Sequence, residues 1–138
     1  MARRTSKTAE AEELNRITEA VIGAAIEVHR ELGPGLLESA YEACLGHELA
    51  ARGMTSEREK ALPVVYRGMK VDCGYRIDLL VQHAVIVELK AVEKVLPIHE
   101  MQVLSYLRLS GLKLGLLLNF NVPLLTRGVH RVVNNLRE

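Results

Sequence analysis

Apolar side chains recur at helical spacing over residues 14–32, where Ile17, Ala20, Val21, Ala24, Ala25 and Val28 return every three or four positions. Gly33-Pro34-Gly35 then breaks the pattern, because proline cannot continue a helix and glycine suits a C-terminal cap. A second helix is expected from residue 36, carried by Leu37, Tyr41, Cys44, Leu45 and Leu49 as far as Gly53. After a charged stretch at 55–60, read as a linker, the period shortens. Residues 61–66 read as a strand that Pro63 places at a sheet edge, Gly68 marks a turn and Val71 leads on to two apolar strands, 76–81 and 85–92. Gln82, His83 and Ala84 close those two into a hairpin. Pro97 opens a third helix with apolar positions Met101, Leu104, Leu107 and Leu109, ending at Gly111. The apolar run 113–120, ended by Asn121 and Pro123, is typical of a strand covered on both faces, and 128–136 reads as a closing helix with Arg127, Arg131 and Arg137 exposed.

The element order is therefore helix, helix, three strands, helix, strand, helix. Strands flanked by helices on both sides imply an α/β fold of three layers around a mixed four-stranded sheet. The three successive strands form an antiparallel meander, and the strand, helix and strand between Glu88 and Phe120 give one parallel pair with a right-handed crossover. Residues 14–138 are read as one domain and 1–13 as a flexible lead-in, in which Arg3, Arg4 and Lys7 form a basic arm or are simply solvated.

The hairpin at 76–92 carries a contradiction. Asp78, Glu88 and Lys90 stand in strands that otherwise read as core, and taking a charge out of water costs several kcal/mol unless it is paired or holds a metal. Strand alternation sets Ile77, Leu79 and Val81 on one face and Arg76, Asp78 and Leu80 on the other. In the next strand Val85, Val87, Leu89 and Ala91 share a face, and Ile86, Glu88, Lys90 and Val92 share the opposite one. With the hairpin closed, the two polar faces coincide. Two carboxylates brought together repel unless a cation lies between them, and hard divalent ions such as Mg²⁺ take oxygen ligands of this kind.

Five further positions have two readings each. Glu38, in the first turn of the second helix, is favoured there by the helix dipole alone, or borders a site. Gln102 and Tyr106 lie one turn apart on the third helix and share a side, either as an exposed amide beside a half-buried phenol or as a pair leaning over the acids. His29 and His99 line the site or satisfy local hydrogen bonds.

Composition narrows the classes. In 138 residues 49% are hydrophobic and 25% charged, which excludes wholesale disorder. Net charge is +1, so any nucleic-acid surface must be a local patch. The two cysteines, Cys44 and Cys73, have no metal-ligand spacing and read as reduced thiols. The charged N-terminus shows no signal peptide and the longest apolar run is too short for a bilayer, so a soluble, cytoplasmic protein without a membrane partner is expected.

Asp78, nine residues and then Glu88-Leu89-Lys90 on consecutive strands, followed by Gln102-x-x-x-Tyr106 on a helix, resembles the PD-(D/E)XK nuclease superfamily, in particular its branch with a Q-x-x-x-Y helix. Gly35-Leu-Leu-Glu38-Ser-Ala-Tyr41 is similar to the signature of the GxxExxY family, and the likeness runs from residue 14 to 136, through Glu27-Val28-His29-Arg30 and Asn119-Phe120-Asn121-Val122-Pro123. The proline that names the superfamily is absent, since Ile77 precedes Asp78. The resemblance implies a restriction-endonuclease-like core and Mg²⁺- or Mn²⁺-dependent hydrolysis of DNA or RNA. Asp78, Glu88 and the Leu89 carbonyl would be metal ligands, Lys90 would orient and help deprotonate water, Glu38 would stand beside the metal, and Gln102 and Tyr106 would position phosphate or water. Arg30, Arg52, Arg76 and Arg108 would supply cleft contacts, with a second copy in a homodimer as a further source. With one Phe and four Tyr, single-strand binding by stacking is not expected. Two other classes compete: a non-catalytic binding module that keeps the fold, and a scaffold in which Glu88 and Lys90 form a structural ion pair.

Overall fold

The computed structural model describes residues 6–138. Helix α1 (Ser6–Leu32) packs beside α2 (Glu38–Ala51). Then come β1 (Ser56–Ala61), the short β2 (Val64–Tyr66) and β3 (Met69–Val71), β4 (Arg76–Val81), β5 (Val85–Lys90), α3 (Pro97–Ser110) and β6 (Leu114–Asn119). A 3-10 turn (Leu125–Gly128) leads into β7 (Val129–Val133). Strands β1-β4-β5-β6-β7 make one mixed sheet, antiparallel except for the parallel pair β5 and β6 that α3 connects, while β2 and β3 form a separate two-stranded ribbon. Among the described residues no helix is long and apolar enough to cross a membrane.

The two sheet faces bury different clusters. One face sets Leu79, Val81, Val85, Val87, Leu89, Leu114, Leu116 and Leu118 against the stripe Leu14, Ile17, Val21, Ala24 and Val28 of α1 and Tyr41, Leu45 and Leu49 of α2. The other sets Leu80, Ile86 and Leu117 against Val103, Tyr106 and Leu107 of α3. Strands β5 and β6, covered on both faces, are accordingly apolar almost throughout.

The α/β three-layer architecture is thus present, with differences in detail. The sheet has five strands rather than four. Residues 55–60, read as a charged linker, are mostly β1, and 128–136, read as a closing helix, contain β7. Both are edge strands, where one side faces solvent and charged side chains discourage further pairing, so neither carries the apolar signature of a central strand. Residues 61–66 are divided, because Pro63 separates β1 from β2. Helix α1 begins at Ser6, earlier than residue 14, and Ala11 is already buried. Arg3 and Arg4 lie outside the described residues, as does the side chain of Lys7. On α3 the inner stripe is Val103, Tyr106 and Leu107, and Met101 is exposed.

The Gly-Pro-Gly break is held by Tyr41. Its ring, fully buried, stacks on Phe120 at 4.4 Å and 16°, while its hydroxyl donates to the Gly33 carbonyl at 2.6 Å and accepts from the Leu36 amide at 3.1 Å. Tyr41→Phe keeps the stack and leaves the Leu36 amide and Gly33 carbonyl without this partner. It is expected to lower stability by about 1–2 kcal/mol in urea denaturation; an unchanged midpoint would show that water replaces the hydroxyl at no cost.

Candidate active site

The β4–β5 ladder runs from Val81↔Val85 to Leu79↔Val87 and stops there. At the next step the backbone donors are met by side chains of the facing strand. The Asp78 amide donates to Glu88 Oε1 at 3.0 Å, and the Leu89 amide donates to Asp78 Oδ2 at 2.8 Å. Strict alternation fails at the same point. Leu79 packs towards α1 and α2, but Ile77, expected on that side, packs with Leu80 and Tyr106 towards α3. Asp78 is thereby brought within reach of Glu42 on α2 as well as of Glu88.

Three acids converge here. Carboxylate oxygens of Glu42, Glu59 and Asp78 all lie within 4.8 Å of one another. Glu59 sits on β1 opposite Asp78, at φ 53°, a left-handed conformation uncommon for a residue with a Cβ; the β1–β4 pairing skips this position. Glu42 is buried, its Oε2 is 3.6 Å from Arg58, and its Oε1 has no hydrogen-bond donor.

Electrostatics follow from that crowding. Burial, reinforced by the Asp78 charge, pushes the Glu88 carboxyl up to about 9. Burial, together with the neighbouring Glu59 and Asp78, raises Glu42 to about 7. Asp78 is also raised by burial, against the pull of the Leu89 amide and of the neighbouring Glu88 carboxyl as hydrogen-bond donor. Lys90 is half-buried and lowers both Asp78 and Glu88 through its charge. Among the described residues its ammonium has no ion-pair partner, so a closed Glu88–Lys90 structural pair is not what the site contains.

On the α3 side Gln102 Nε2 donates to the Tyr106 hydroxyl oxygen at 3.2 Å. Burial and the Glu88 charge raise the Tyr106 pKa, which keeps the phenol protonated and places it within electrostatic reach of the acids. Since its oxygen accepts from Gln102, its own proton is free to be donated elsewhere.

Asp78, Glu88, Lys90, Gln102 and Tyr106 are thus gathered, with Leu89 joined through its amide. Glu38 is not. It opens α2 with an exposed side chain, outside the group of three acids, and Glu42, one turn on, takes the inward place. Its signal was present: Glu42, Leu45 and Leu49 repeat at the spacing of the buried stripe, and an acid on such a stripe needs a reason. His99 caps α3, accepting the Leu96 amide on Nδ1 at 2.9 Å. His29 Nε2 bonds the Val122 carbonyl at 2.8 Å. Arg30 and Arg52 pair with Glu27 and Glu48 on their own helices, Arg76 with the Tyr75 carbonyl and Asp72, and Arg108 is exposed on α3.

A mixed sheet with this strand order, carrying paired acids and a lysine where two central strands part, defines the class. The family model of the PD-(D/E)XK nuclease superfamily matches residues 15–132, and the chain belongs to that superfamily. Comparison with curated proteins gave no match, and neither did comparison with solved structures.

The raised carboxyls make stability depend on pH. Between the ordinary carboxylate range and about 9 the folded chain holds a proton on Glu88 that the unfolded chain releases, so stability falls as pH rises through that window. In a chelator, thermal melting at about pH 5.5 and about pH 8 is expected to show this loss, with a slope of up to ~1.4 kcal/mol per pH unit from this one group. Glu88→Gln should flatten it. Equal slopes in the two proteins would place the proton elsewhere.

Proposed function

We propose that the chain is a divalent-metal-dependent nuclease that hydrolyses phosphodiester bonds. The observation that carries this is the exchange between β4 and β5, where a half-buried and a buried carboxyl of raised pKa, Asp78 and Glu88, accept each other's strand amides at the point where the ladder opens. Acids crowded in this way are what a cation between them stabilises. The donor set is all oxygen, which suits Mg²⁺ or Mn²⁺, and the buried Glu42 Oε1 without a donor is a further oxygen for it. We assign Asp78 and Glu88 as ligands with the Leu89 carbonyl, and give Glu42 the supporting role expected of Glu38. A bound divalent cation supplies Lewis acidity there, screening phosphate charge and making water acidic enough to attack near neutral pH.

The remaining steps fall to the chain's own groups. Lys90, cationic and unpaired, holds the attacking water by hydrogen bond and balances charge that builds on the phosphate. Tyr106, kept protonated by burial and aligned by Gln102, donates to a phosphate oxygen. Within the superfamily we place the chain in the GxxExxY group, supported by Gly35, Glu38 and Tyr41 at the required spacing and by the Gln102–Tyr106 contact. Its Tyr41 acts in folding, through Phe120 and the Gly33 loop, and its site is assembled in the cytoplasm from one chain or from each member of a homodimer.

The test is cleavage of DNA and RNA, single and double stranded, in Mg²⁺ and in Mn²⁺. Glu88→Ala and Lys90→Ala are each expected to reduce the rate about 100-fold or more. Glu42→Gln should reduce it markedly, and Glu38→Ala should leave it near the wild-type value. If every nucleic acid stays intact in both metals, the nuclease assignment fails and a binding module keeping the fold takes its place. Full activity in Glu42→Gln would return the supporting role to Glu38.

A further inference from the structure

The wall of the site formed by Gln102 and Tyr106 continues into a groove of about 470 Å³ between α3 and the β2–β3 ribbon. Val64, Tyr75, Ile98, His99, Ser105 and Leu109 complete its lining. Tyr75 is 44% exposed, and its ring meets that of Tyr106 at 5.9 Å and 58°. Cross-strand pairs share a face, so Tyr66 and Met69, paired with each other, lie on the same side of the ribbon as Val64 and its partner Val71. On that side Tyr66 is 60% exposed, with the Arg67 guanidinium 5.4 Å from its ring centroid. Few aromatics occur in the chain, yet two of the four tyrosines, Tyr75 and Tyr106, meet in this groove beside the acids.

Charge completes the picture. From Leu62 to Val71 the ribbon carries no acid, and Arg67, at its turn, is exposed, while Lys70, paired with Val65, lies on the other side of the ribbon. An apolar, aromatic floor beside an exposed cation, opening directly from the acids, matches a strand whose phosphates and unstacked bases are both accessible. We propose that this groove binds single-stranded nucleic acid, stacking an unpaired base on Tyr75 next to the scissile phosphate while Arg67 meets the flanking backbone. The substrate class is then a single strand or a frayed end rather than an intact duplex, whose bases are stacked on one another and closed to Tyr75. The proposal rests on the nuclease assignment of the adjoining acids, but binding is measurable without cleavage.

Fluorescence anisotropy in a chelator compares a labelled single-stranded oligonucleotide with the duplex of the same sequence. The single strand is expected to bind more tightly. Tyr75→Leu, which keeps an apolar side chain, should weaken it about tenfold or more, and Arg67→Ala should weaken it and reduce the salt dependence. With no tryptophan in the chain, intrinsic emission comes from tyrosine, and stacking on Tyr75 should quench it. Equal affinity for single strand and duplex overturns the proposal, as does unchanged binding by folded Tyr75→Leu. A shift in association state in that variant, with nucleic-acid binding unchanged, would assign the groove to a second copy and likewise overturn it. Single-strand binding in a protein that cleaves nothing would leave the groove assignment standing and remove the nuclease one; cleavage indifferent to Tyr75→Leu and Arg67→Ala would do the reverse.

Discussion

Two backbone amides on neighbouring central strands, those of Asp78 and Leu89, donate to carboxyls where a regular ladder would offer carbonyls. Much of the molecule is arranged around that exchange. It keeps buried donors satisfied where the strands part, and it turns Ile77 towards α3 and Asp78 towards α2. The cost is carboxyls held in a poorly solvated place, which is why Glu88 and Glu42 resist ionisation. Apolar surface on both sheet faces, from Leu79 and Val87 to Ile86 and Leu117, stabilises the fold enough to hold them there.

The surroundings supply what two acids alone lack. Helix α2 brings Glu42 from one side, and β1 brings Glu59 through a left-handed residue that a regular strand would not contain. Helix α3 brings Gln102 and Tyr106 from the other side, with the phenol proton free to be donated. Lys90, without an ion-pair contact among the described residues, brings its charge to bear on Asp78 and Glu88. Such a constellation suits phosphodiester chemistry far better than a structural ion pair, since a structural pair has no use for an unpaired ammonium or a donor-less buried carboxylate.

The central part of this was legible in the sequence because burial and charge conflict there in plain view. Asp78, Glu88 and Lys90 interrupt apolar strands, and Gln102 and Tyr106 share a helix face by spacing alone. The edges were not. Ser56–Ala61 and Val129–Val133 are partly solvated, so their side chains carry little periodic signal, and pairing with a neighbour decides their conformation. Glu38 and Glu42 show another limit. Both lie on one side of α2, so spacing does not choose between them; Glu38 stands exposed at the helix end while Glu42, one turn in, is buried, and where the helix end lies along the sheet is a tertiary fact. The break in alternation at Asp78 and the meeting of Tyr75 with Tyr106 come from distant segments, and neither has a local signature.

The acids of β4 and β5 stand together, on this account, because a divalent cation belongs with them. Anomalous diffraction from a crystal soaked in Mn²⁺ tests that without requiring turnover. A peak bounded by the carboxylates of Asp78 and Glu88, with Glu42 alongside, is the expected result. No peak at that position, with the Asp78–Glu88 exchange intact in the presence of Mn²⁺, would contradict it.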